Sequence, residues 1–203
     1  MKIICIGRNY SDHAKELNNP VPTEPVFFMK PDSALLLKNK PFYIPNFTKE
    51  VHHEIELVVK INRLGKNILQ KFANRYYNEV SLGIDFTARD VQQKLKEQGL
   101  PWEKAKAFDA SAVLGDFIPV SDLPSLQNLN FSLQKNGEIV QQGNTSDMIF
   151  TIDKIIEYVS QFVTLKIGDL IYTGTPAGVG PVSIGNKLIG KLEDKEILNF
   201  EVR

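Results

Sequence analysis

Glu54 and Glu56 lie two residues apart in the run His52-His53-Glu54-Ile55-Glu56-Leu57-Val58-Val59-Lys60-Ile61. Ile55, Leu57, Val59 and Ile61 alternate with Glu54, Glu56, Val58 and Lys60, which is the period of a half-buried strand. Alternate side chains of a strand share a face, so the two carboxylates project together with their Cα atoms roughly 7 Å apart. Carboxylates that close repel, and one takes up a proton unless a cation lies between them. Two hard oxygen donors on one face suit Mg²⁺, Mn²⁺ or Ca²⁺ far better than a soft metal. The plain alternative is a solvated acidic face on an edge strand.

Other residues offer chemistry with less specific spacing. His13 stands three residues before Glu16 on a short helical stretch, so the carboxylate can hold the imidazole and fix its tautomer. That arrangement suits a general base; a surface pair with no function has the same spacing. Asp85 ends a short strand directly before a helix, a place equally common for functional and for turn carboxylates. Lys106, between Trp102 and Phe108, is either a partly buried cation facing an anionic site or one lysine on a solvated segment. The loop Gly174-Thr175-Pro176-Ala177-Gly178-Val179-Gly180 lacks the Gly-Lys-Ser/Thr of a phosphate loop and the dinucleotide fingerprint. Its backbone N–H groups and the Thr175 hydroxyl suit a small carboxylate, or the loop is a plain turn.

The elements that must position these groups alternate along the chain. Ile3–Ile6 predicts a strand, and Ser11 is placed to cap a helix through Leu17 that Asn18-Asn19-Pro20 stops. Val26–Met29 predicts a buried strand, and 32–46 is rich in turns. Asn67 to about Tyr77 has helical spacing, and Val80–Asp85 reads as a strand. Thr87 then reads as an N-cap answered by Asp90, with a helix to Gln98. The 111–115 stretch is ambiguous between helix and strand. Asn136-Gly137 joins two alternating runs as a hairpin. Ile152 to about Phe162 is an amphipathic helix with Ile155, Ile156, Val159 and Phe162 on one face, Asp169–Thr173 a strand, and Asn186–Val202 two more. No repeat, low-complexity segment or linker interrupts the pattern, so the expectation is one β-rich α+β domain over 1–203.

Composition narrows the partners. Lys plus Arg and Asp plus Glu are both 24, with no basic stripe, which argues against nucleic acid or an anionic membrane surface. No apolar run approaches the length of a membrane span. Cys5 is the only cysteine, so neither a disulfide framework nor a thiolate metal site is available. With strand 3–6 beginning almost at Met1, a signal or transit peptide is not expected, and the expected address is cytoplasmic.

Four segments together resemble the fumarylacetoacetate hydrolase family. They are Gly7-Arg8-Asn9-Tyr10 with His13-x-x-Glu16, then His53-Glu54-x-Glu56-Leu57, then Asp85-Phe86-Thr87-Ala88-Arg89-Asp90, and Thr173-Gly174-Thr175-Pro176-x-Gly178-Val179-Gly180. Lys30-Pro31, Ala105-Lys106 before Phe108, and Thr145–Phe150 agree as well, and the short acylpyruvase and oxaloacetate decarboxylase branch is the nearest part of the family. Asp109, where that branch often has Thr, bears on the choice of substrate.

The resemblance implies a β-rich mixed roll with a few short helices, usually a homodimer, acting on a small α-keto acid. It implies Glu54, Glu56 and Asp85 as ligands of Mg²⁺, or of Mn²⁺ in some members. It implies His13–Glu16 as a water-activating pair on a lid over 10–20, and Lys106 as a catalytic cation. Arg8, Lys30, Arg89, Gln92 and Thr175 are implied around the substrate, with Thr175 holding its carboxylate. The activity implied is cleavage of acylpyruvates to a carboxylic acid and pyruvate, with decarboxylation of oxaloacetate through the same enolate, for which the metal is the Lewis acid. Isomerisation or decarboxylation of dienoate diacids from aromatic catabolism uses the same logic. A divalent-cation binding protein without turnover would need neither His13–Glu16 nor Lys106.

Overall fold

The computed structural model describes residues 1–16, 21–37 and 40–203. Along the first half run β1 (Ile3–Gly7), α1 (Ser11–Glu16), β2 (Val26–Lys30), β3 (Leu35–Leu37), β4 (Val51–His53) and β5 (Ile55–Ile61). There follow α2 (Gln70–Ala73), β6 (Tyr77–Asp85), β7 (Thr87–Ala88), α3 (Arg89–Glu97), α4 (Glu103–Lys106) and β8 (Ala112–Leu114). The rest comprises β9 (Ile118–Pro119), β10 (Asn130–Lys135), β11 (Glu138–Asn144), α5 (Ile152–Phe162), β12 (Leu170–Tyr172), β13 (Gly180–Pro181), β14 (Lys187–Leu192) and β15 (Lys195–Glu201).

These strands form a mixed α+β architecture. The large sheet runs β2-β1-β12-β5-β6-β8-β3, with β9 added beside β6. Its β1–β12 and β3–β8 pairs are parallel and its other pairs antiparallel. A second sheet, β11-β10-β14-β15, and a small one, β13-β4-β7, complete the roll. Among the described residues no helix is long and apolar enough to cross a membrane.

β5 departs from the half-buried strand its alternation predicts. Val58 packs with Ile3, Cys5, Leu170 and Tyr172 on one side, while Leu57, Val59 and Ile61 enter the main core on the other. A central strand covered on both faces loses its solvated side, so Glu56 is as buried as its apolar neighbours. β2 departs in the opposite sense: it is the edge of the large sheet, and only Lys30 within it is fully buried.

Three helical expectations also change. The 67–77 helix shrinks to α2, because Asn67 turns left-handed at φ 51° and Ile68 and Gln70 give their N–H groups to Ser160 and Glu157 of α5. α3 starts at Arg89 without a side-chain cap, since Thr87 belongs to β7 and Asp90 instead accepts from the Thr48 hydroxyl and the Lys49 N–H. In α5, Thr151 caps the N-terminus and Ile152, Ile155, Ile156 and Val159 are buried, while Phe162 stays exposed beside the rings of Phe27 and Tyr158. The stop expected at 18–20 lies outside the described residues, as does Leu17.

Elsewhere the local code holds. Asn136 and Gly137 both take positive φ, 55° and 90°, as the two-residue turn between β10 and β11 requires. The ambiguous 111–115 stretch forms β8, pinned between β6 and β3.

Candidate active site

Glu54 sits where the chain passes from β4, in the small sheet, to β5, in the large one. That crossing leaves the N-terminal end of β5 beside a cleft, while its two edges pair with β12 and β6. β6 pairs with β5 so that Ile84 faces Ile55 and Gly83 faces Glu56, and the Asp85 N–H donates to the Glu54 carbonyl at 2.9 Å. Register therefore brings Asp85 beside Glu54. Glu54, Glu56 and Asp85 each offer an oxygen, and these atoms lie within 4.8 Å of one another, all three residues buried. Gly83 has to be glycine: a Cβ there would come within 2.5 Å of the Tyr172 ring and 2.6 Å of the Val113 carbonyl.

The three carboxyls differ in what surrounds them. Burial opposes ionisation of Glu54, yet Lys106 and Arg89 outweigh it and hold the group well below the usual carboxylate range. Arg89 Nη2 lies 2.5 Å from its Oε1, and Lys106 Nζ donates to its Oε2 at 2.8 Å. Burial raises Glu56, and the charges of Asp85 and Glu54 raise it further against one N–H from Gly174 at 2.7 Å. The cluster is thus short of positive charge at Glu56. Hard, buried, convergent oxygens with that deficit fit Mg²⁺ or Mn²⁺.

Lys106 closes the cluster on one side. Its ammonium donates to Glu54 Oε2 and Asp85 Oδ2, each at 2.8 Å, and to Thr87 Oγ1 at 2.6 Å, so all three protons are committed. Lys30, expected beside the substrate, is instead wholly buried behind Asp85. Its ammonium forms an ion pair with Asp85 Oδ1 at 2.7 Å and donates to the Lys106 carbonyl and to both the carbonyl and hydroxyl of Ser111. Lys30 does not line the cleft; it braces the backbone that carries Lys106.

The opposite wall holds the histidine pair. His13 Nδ1 faces Glu16 Oε2 at 3.2 Å, and Glu16 accepts the Gly178 N–H at 3.1 Å, docking α1 onto the glycine loop. The lid expected over 10–20 is described only to Glu16. Asn9 explains part of the first motif: its side chain donates to the Phe150 and Thr173 carbonyls and accepts the Phe150 N–H. His13, Arg8, Arg89, Gln92, Lys106 and Thr175 all line one cleft with the three carboxylates. The Thr175 hydroxyl, expected to hold a carboxylate, donates to the Ile55 carbonyl at 2.8 Å and accepts from Gln141 at 2.9 Å. In this arrangement it ties the loop to β5.

The fumarylacetoacetate (FAA) hydrolase C-terminal family matches residues 2–202. The chain belongs to that family. It is 42% identical over 200 residues to the mitochondrial oxaloacetate tautomerase of Bos taurus, covering 98% of this chain and 90% of the relative. It is 44% identical over 185 residues to the mitochondrial oxaloacetate decarboxylase of Dictyostelium discoideum, covering 91% and 85%. The crystal structure of fumarylpyruvate hydrolase from Pseudomonas aeruginosa in complex with Mn²⁺ and pyruvate superposes with a TM-score of 0.94 at 35% identity, covering 100% of this chain and 89% of that one. The fold is that of an enzyme family, as the four motifs imply.

Two residues of this family member escape sequence reasoning. Lys96 lines the cleft, and the only signal for it is its place one turn beyond Gln92 on α3. Gln141 reaches in from β11, and no spacing announces it. Its Oε1 accepts the Ile55 N–H at 3.1 Å and faces His53 Nδ1 at 2.8 Å, while its amide donates to Thr175 Oγ1 and the Pro176 carbonyl. His53, driven by burial to a pKa of about 4 despite that bond, is neutral at pH 7. Gln141→Leu would leave these buried groups unpaired, so a loss of about 1–3 kcal/mol is expected by chemical denaturation. An unchanged midpoint would show that the network contributes nothing.

Proposed function

We propose that the chain is a divalent-cation-dependent enzyme of small 2-oxo acids that works through an enolate, interconverting the keto and enol forms of oxaloacetate. The observation that carries this reading is that the His13–Glu16 pair opens onto the same cleft as the Glu54, Glu56 and Asp85 carboxylates. The names of the Bos taurus and Dictyostelium relatives supply the substrate. Glu54, Glu56 and Asp85 would hold Mg²⁺ or Mn²⁺, which when bound draws electron density from the 2-oxo group and its neighbouring carboxylate.

This chain's own residues supply the rest. Glu16 takes the Nδ1–H of His13 and leaves Nε2 as the base. His13 removes a proton from C3 of the keto acid and returns it there in the reverse direction, while the 2-oxo oxygen gains or loses its own proton. Lys106 and Arg89 offset the negative charge of the carboxylates around the reacting group. Decarboxylation leaves an enolate of the same kind and needs no attacking water.

A second reading, hydrolysis of acylpyruvates, is favoured by the same histidine pair and by the likeness to fumarylpyruvate hydrolase. There His13 takes a proton from water as its oxygen attacks the distal carbonyl, and the C–C bond breaks to a carboxylic acid and the pyruvate enolate. Rates on enol-oxaloacetate and on acetylpyruvate, measured side by side with Mg²⁺, separate the two. Faster conversion of oxaloacetate is expected; turnover of acetylpyruvate with oxaloacetate untouched would reverse the order. A cytoplasmic homodimer belongs to the same proposal.

A further inference from the structure

α3 presents Arg89, Gln92 and Lys96 at helical spacing toward the cleft. The first two are engaged: Arg89 pairs with Glu54 and donates to Gln92 Oε1 at 2.7 Å. Lys96 has no hydrogen bond or ion pair among the described residues, although it is half-buried. Its ammonium lies 5.8 Å from the Trp102 ring centroid, which steers it without neutralising it. Arg8 lines the same cleft, equally without an anionic partner, on a backbone strained to φ 60°.

We propose that Lys96, with Arg8, receives the second carboxylate of a dicarboxylic 2-oxo acid, so that Lys96 selects dicarboxylates such as oxaloacetate over monocarboxylic acylpyruvates such as acetylpyruvate. The inference rests on the proposed function for the position of the first carboxylate. Burial and the nearby charges of Arg8, Arg89 and Lys106 push the Lys96 ammonium toward its neutral form, against the charge of Glu54. A second anion between Lys96 and Arg8 relieves that repulsion. With a dication in the carboxylate cluster the cleft has surplus positive charge, which a dianion offsets better than a monoanion.

Lys96→Met keeps the aliphatic contact with Trp102 and removes the charge. In Mg²⁺-loaded protein it should lower kcat/KM for oxaloacetate about tenfold more than for acetylpyruvate, mainly through KM. Lys96→Arg should restore most of the difference. Calorimetry with malate and lactate, an unreactive pair differing by the distal carboxylate, should show a preference for malate that Lys96→Met reduces about tenfold. If neither substrate turns over but this preference behaves as stated, the inference stands and the assigned reaction falls. Equal losses for both acids, no loss for either, or binding of neither would overturn the inference.

Discussion

Glu56→Gln is expected to raise the melting temperature of the metal-free protein while abolishing the further rise that Mg²⁺ gives. Burial first, and then the charges of Asp85 and Glu54, raise the Glu56 carboxyl well above its ordinary range. Its folded pKa therefore exceeds its unfolded value, and between the two the folded state binds the extra proton. Stability falls as pH rises through that window, so at neutral pH the carboxyl weakens the metal-free fold. Gln keeps an acceptor for the Gly174 N–H and removes the charge. A gain of about 1–2 kcal/mol, a few degrees for a chain of this length, is the expected scale. Wild-type protein with metal at a hundredfold its Kd should gain about 2.7 kcal/mol, and the variant none. Turnover should fall on the order of 10³-fold with the metal. Melting curves with and without Mg²⁺ read both effects; a variant that melts lower when metal-free, or is still stabilised by Mg²⁺, would remove Glu56 from the cation site.

His13→Ala should separate reactions that need a base from the one that does not. With Nδ1 turned to Glu16, the ring is placed to move a proton at a water or at C3. Loss of a positioned base costs about 10²–10⁴ in rate, expected for acylpyruvate hydrolysis and for oxaloacetate tautomerisation. Oxaloacetate decarboxylation requires no attacking water and should lose less than about tenfold. Steady-state rates on the three reactions under one set of conditions make the comparison. Equal losses in all three would contradict this division of labour.

The carboxylate cluster was legible because a strand's period of two is local: Glu54 and Glu56 share a face whatever the rest of the chain does. The motif resemblance supplied Asp85, and β5–β6 register shows why it stands there. Burial of β5 on both faces was not legible, because Val58 meets Tyr172 and Cys5 only once distant strands assemble. The same holds for Gln141, whose partners lie 34 to 88 positions away in sequence. Thr87 misled as an N-cap because its hydroxyl is drawn to Lys106, a contact that helix-start patterns do not encode. Lys30 agreed with the family motif, yet its place behind Asp85 is a matter of depth in the sheet.

The most direct test of a cation-dependent enolate site is the conversion of enol-oxaloacetate to its keto form, followed spectrophotometrically in Mg²⁺, after EDTA, and after Mg²⁺ or Mn²⁺ is restored. Catalysis with Mg²⁺, a fall to the uncatalysed rate in EDTA and recovery with either ion are expected. Catalysis that EDTA leaves untouched, or none in Mg²⁺-loaded protein, would contradict it.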